Sequence, residues 1–190
     1  MAKRNSLMLA LALFSVGASA MFWPFTKYDV EMSPDVRGVI KLDGVPQAGL
    51  TVHRDLFYEG YKDGKKISDE AITDSSGEFY FPEFLVRSKA PRDVFGQNFI
   101  IAQEIYTYSE GKEVYLWNAT KYAKPIPLAS QLLLSLNCEL RQEELNYELR
   151  DPQSGERLYL PLTSVCRWEG LEGYTNEQLI EKTDNLTPED

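Results

Sequence analysis

Two short stretches, GVIKLDGVPQAGLTV at 38–52 and TDSSGEFYFP at 73–82, alternate apolar and polar residues and are broken by glycine-containing turns. Period-two alternation sends successive side chains to opposite faces of a pleated strand, so one face is free to be buried while the other stays wet. Val36 to Leu42 is expected as a strand that ends at Asp43-Gly44, residues that tolerate positive φ. Leu50 to Tyr58 is expected as a second strand. It sets Leu50, Val52, Leu56 and Tyr58 on one face, with Arg54 the exception, and Thr51, His53, Asp55 and Phe57 on the other. In Asp74-Ser75-Ser76-Gly77 the aspartate can bond its own backbone and the glycine can turn left-handed. Phe79 and Phe81 then alternate with Glu78 and Tyr80 until Pro82 stops the pairing. Backbone geometry accounts for these glycines and aspartates without a catalytic role.

The remaining pattern is also β-rich. Asn98–Tyr108 and Lys112–Trp117 read as a hairpin around Ser109-Glu110-Gly111. Phe84–Gly96, interrupted by Pro91, reads as a loop with one helical turn. Leu128–Glu139 reads as a short helix followed by a strand carrying Cys138, and Glu144–Leu149, Leu158–Leu162 and Thr163–Trp168 read as extended pieces. Beyond Trp168 the chain turns polar and acidic, with one possible helical turn. The expected architecture is mainly β: an antiparallel β-sandwich over 21–168 whose C-terminal β extension is tied by one disulfide, then a poorly ordered acidic tail at 169–190.

Residues 1–20 have the form of a secretory signal peptide. Lys3 and Arg4 precede an apolar run, Leu7–Val16, and Ala18-Ser19-Ala20 forms a small-residue cleavage signal that predicts cutting between Ala20 and Met21. The apolar run is shorter than the roughly 20 residues a membrane-spanning helix requires. Export to the periplasm or beyond is therefore expected, and a start at Met21 would instead keep the chain in the cytoplasm. Removal of Lys3 and Arg4 takes the formal charge from −9 to −11, which argues against nucleic acid or an anionic membrane as partner. Cys138 and Cys166 are the two cysteines, and in an exported chain an even count reads as a structural disulfide.

The residues Gly38, Val39, Gly44, Pro46, Gly49 and Val52, followed by Thr73, Asp74, Gly77, Phe79 and Phe81, resemble the motif of the transthyretin-like sandwich modules known as carboxypeptidase regulatory-like domains. The resemblance covers Gly38 to Pro82 and implies a module core at about 33–118. The wider chain, including SLNCEL and SVCRW, is similar to a family of small bacterial proteins that carry such a module alone. That likeness implies a fold and supplies no activity.

The inventory for chemistry is thin. His53 is the single histidine, so a nucleophile-base pair could be built only around it, with Thr51 and Asp55 on its face. An exposed strand histidine among polar neighbours is the more ordinary reading. Asp69, Glu70, Asp74 and Glu78 cluster near one turn, yet their spacing matches no calcium loop, and no metal or cofactor is expected. Aromatics are more plentiful: Phe22, Trp23 and Phe25 near the leader, and Tyr106, Tyr108, Tyr115 and Trp117 on the hairpin. Tyr106, Tyr108 and Trp117 are the candidate binding surface, since tyrosine and tryptophan carry much of the energy of interfaces. The leading expectation is a non-enzymatic exported protein that binds another protein in the cell envelope. Envelope carbohydrate is the second possibility, and a carboxylate-dependent hydrolase ranks last.

Overall fold

The computed structural model describes residues 27–89, 99–151, 153–155, 157–158 and 162–184. The leader, the Ala20-Met21 junction, Phe22, Trp23, Phe25 and Pro91 lie outside them. The strands are β1 (Tyr28–Ser33), β2 (Val36–Leu42), β3 (Val45–Pro46), β4 (Thr51–Tyr58), β5 (Ile67–Ile72), β6 (Glu78–Phe81), β7 (Phe84–Ser88), β8 (Ile100–Ser109), β9 (Lys112–Tyr122), β10 (Leu136–Glu139), β11 (Leu145–Tyr147), β12 (Leu162–Ser164) and β13 (Gly173–Tyr174). Two short helices join them, α1 (Pro127–Leu133) before β10 and α2 (Asn176–Asp184) at the end. The chain is mainly β, as the alternation predicts.

The largest sheet runs β13-β11-β12-β9-β8-β4-β5. A second sheet runs β10-β2-β3 with β6 also on β2, and β1 pairs with β7 alone. The pairings are antiparallel apart from β10 on β2, which is parallel; α1 joins β9 to β10. Inward side chains of both larger sheets fill one core: Val36, Ile40, Phe79 and Phe81 meet Val52, Ile105, Leu116 and Trp117. The disulfide between Cys138 and Cys166 is buried in that core and fastens β10 to the segment after β12. Trp168 packs edge-on against Trp117 and Tyr147 and donates its indole N–H to Leu132 O at 3.0 Å.

A smaller apolar cluster, Val30, Met32, Leu56, Tyr58, Val86 and Ile101, lies beneath the β1–β7 pair. Buried polar side chains of the same inward face anchor that pair. Gln103 donates to Met32 O at 2.6 Å and accepts from the Trp117 indole at 3.2 Å. Lys121 reaches Glu31 at 2.9 Å, and burial lowers its pKa despite the carboxylate. Arg54 is fully buried, donates to both oxygens of Asp69 at 2.9 and 2.6 Å and to Pro82 O at 2.8 Å, and lies over the Phe81 ring. The irregular residue in the β4 pattern is thus a core residue, stabilised because every face of its guanidinium finds a partner.

Two expectations are corrected. Phe84–Ser88 is a strand, not part of a loop with a helical turn: Val86 and Ser88 turn inward while Leu85 and Arg87 face solvent, and β1 supplies the ladder. The segment after Trp168 is not a structureless tail throughout. Gly173–Tyr174 pairs with β11, and the nine-residue α2 follows it. Asn146 ties the two by donating to Asn176 Oδ1 at 2.8 Å.

The turns follow the anticipated chemistry. Asp74 Oδ1 accepts from the backbone N–H groups of Ser76 and Glu78 at 2.8 and 2.9 Å, and Gly77 holds φ 76° where an added Cβ would meet Ile40 O at 2.6 Å. The β8–β9 hairpin turns on Glu110 and Gly111, both at positive φ.

Candidate functional site

The outward face of β5, β4, β8 and β9 gathers the chain's candidate residues. Register places His53 opposite Glu70 on one side and Tyr106 on the other, with Tyr106 opposite Tyr115. The rings interlock: His53 stacks on Tyr106 with centroids 5.1 Å apart, and Tyr108 stands nearly perpendicular to both at 5.6 and 5.8 Å. Tyr115 lies 6.1 Å from Tyr106. Tyr108 is 53% exposed, so one ring of the cluster stands open to solvent.

Beside the rings lies a polar network. The Tyr106 hydroxyl donates to Asp55 Oδ2 at 3.1 Å, and Lys66 Nζ donates to the same oxygen at 2.7 Å. Burial opposes the Asp55 charge, but the bonds from Lys66, Ser68 and Tyr106 outweigh it and hold the carboxyl below its usual range. Burial, then the Asp55 charge, push the Tyr106 hydroxyl far above the ordinary phenol value. Lys66 is held more firmly protonated by Asp55, with Glu104 and Glu113 adding to the field. His53 Nδ1 meets Glu70 Oε1 at 3.1 Å.

This arrangement positions rings and charges; it does not assemble a nucleophile and base. Asp55 points to Lys66 and Tyr106, not to His53, so Thr51, His53 and Asp55 share a face without forming a relay. The carboxylates around the 73–77 turn are likewise divided. Asp69 serves Arg54, Glu70 serves His53, and Asp74 caps its own turn. Among the described residues no group of three metal-ligating side chains converges.

Trp117 must be removed from the candidate surface. It is fully buried, and the reason is a β-bulge: Ile105 pairs with Trp117 and Tyr106 with Tyr115, leaving Leu116 as an extra residue. In a regular strand Tyr115 and Trp117 would share a face; the extra residue reverses the alternation, so Tyr115 faces outward and Trp117 inward. Tyr106 and Tyr108 remain together on the outward face. Sequence reading missed Glu70 and Lys66 as their neighbours, because Glu70 lies on β5 and Lys66 just before it, and the pairing of β5 with β4 is set by a turn remote from the hairpin. No helix among the described residues is long and apolar enough to cross a membrane.

The family model described as Domain of unknown function (DUF6795) matches residues 36–143, more than half of the chain, and the protein belongs to that family. Neither the curated proteins nor the solved structures return a match.

Proposed function

We propose that this DUF6795 protein is an exported, non-enzymatic binding protein whose outward sheet face contacts another protein in the cell envelope. The observation that carries the reading is the ring cluster of His53, Tyr106, Tyr108 and Tyr115, with Tyr108 half exposed at its margin. Rigid, partly exposed tyrosines supply contact area at small entropic cost and recur as interface anchors. Export is supported by the buried Cys138–Cys166 bond, since such bonds persist in oxidising compartments. The two-sheet core and the Asp74–Gly77 turn support kinship with the transthyretin-like modules. A non-enzymatic role accords with the division of the titratable groups among internal partners.

A photo-crosslinking residue at position 108 should capture a discrete envelope protein, whereas the same residue at position 180 on α2, at least as open to solvent, should not. With that partner purified, Tyr108→Ala should weaken binding by about 2 kcal/mol, the scale of an interface anchor. Equal capture from both positions would defeat the proposal. The exposed ring would also serve the alternative, envelope carbohydrate, and a glycan array that binds wild type but not the Tyr108→Ala variant would select it.

A further inference from the structure

We infer that the depression beside Tyr108 receives a cationic side chain, arginine or lysine, from a basic segment of a partner protein. The inference rests on the protein-binding reading above and names the chemistry of the partner. Gly49, Leu50, His53, Glu70, Thr107 and Tyr108 line the depression. One wall is thus an open aromatic ring, and the rim carries a carboxylate whose side chain is 63% exposed. A ring face attracts a cation through its quadrupole, most strongly where an anion lies alongside. Glu70 spends one oxygen on His53, and a carboxylate has acceptor capacity for further donors.

The surrounding field has the same sign. Asp55, Glu104 and Glu113 act together on Lys66, a cation already seated on this face. Glu113, Glu104 and Glu144 also raise the Tyr115 hydroxyl, after burial. The whole chain carries a formal charge of −9. An anionic ligand would meet this field as a barrier, and a neutral sugar would use the ring but gain nothing from the charge. A guanidinium or ammonium gains from both.

The test is an amide-resolved NMR titration of the full chain with hexa-arginine, alongside hexaglutamate and a neutral Gly-Ser hexapeptide. Hexa-arginine should shift the amides of Thr51, His53, Thr107 and Tyr108, more weakly as salt rises. Tyr108→Ala and Glu70→Gln should each weaken its binding by about two- to fivefold, the scale of an exposed cation–ring or ion-pair contact. Tyr108→Phe, which keeps the ring, should bind as wild type, and Glu177→Gln on α2 should change nothing. The inference is overturned if the shifts scatter over the surface, if Glu177→Gln costs as much as Glu70→Gln, or if hexaglutamate or the neutral peptide binds equally. Failure with hexa-arginine while position 108 still captures a partner would overturn the cation alone. Failure of both experiments would overturn the docking face as well.

Discussion

Arg54 and Asp55 are neighbours on β4 that face opposite sides of one sheet, and their fates differ. Arg54 enters the core, where Asp69, the Pro82 carbonyl and the Phe81 ring replace the water it has lost. Asp55, although only 5% exposed, lies on the outward face and is neutralised by a lysine whose side chain is 60% exposed. The inward arrangement fixes one geometry, because removing any partner strands a buried charge. The outward one is wet at one end and can exchange partners. The inward face therefore fixes the fold, and the outward face is the one the proposed contact would use.

Substitutions on the two faces should separate these roles. Trp117→Ala empties the core between the sheets and should cost about 3–5 kcal/mol of folding stability, read by urea denaturation. Folded protein that remains should still bind the partner, and lost affinity at unchanged stability would return Trp117 to the surface. Arg54→Met should cost about 2–3 kcal/mol, because the Pro82 carbonyl loses its donor while the partly exposed Asp69 regains water.

The outward pair should be worth about 1 kcal/mol or less, since solvent screens Lys66. Its sign follows from linkage. The folded Asp55 pKa lies below the ordinary value of 3.8, so its contribution is present above that value and is lost as pH falls through the lower, folded one. Melting curves of wild type and Asp55→Asn should differ by a constant amount above about pH 5 and converge below about pH 4. A gap that widens on acidification would contradict the pairing. Tyr108→Ala should move stability least, by less than about 1 kcal/mol, the scale of its edge-on cross-strand contacts with His53 and Tyr106. A larger loss would make Tyr108 a packing residue instead of a docking one.

Much of this division was legible in the sequence, through local rules. The β2 alternation, the Asp74–Gly77 turn, the Glu110-Gly111 hairpin and the succession of α1 and β10 each follow from residues adjacent in the chain. Cysteine parity anticipated the Cys138–Cys166 bond. What escaped depends on distant pairing or on one inserted residue. Strand β7 carries its own alternation, in FLVRS, but forms a ladder only because β1 lies beside it. Trp117 was misplaced because one bulged residue reverses every later side chain of β9, and nothing within LWNAT announces the bulge. Half of the ring site was visible, since Tyr106 and Tyr108 are two residues apart; Glu70 joins them only across β4.

The Cys138–Cys166 bond has a further consequence for the chain as a covalent object. Residues 138 to 166 form a closed ring, and the exposed turn Gln153-Ser154-Gly155 lies on it. A protease cutting at that turn opens the ring but releases nothing. On a non-reducing gel the nicked protein would run as one species, and only a reductant would divide it into two. The segment from β12 to α2 would thus stay attached to the rest after hydrolysis of its own backbone connection, a tolerance to attack useful to any protein working among extracellular proteases.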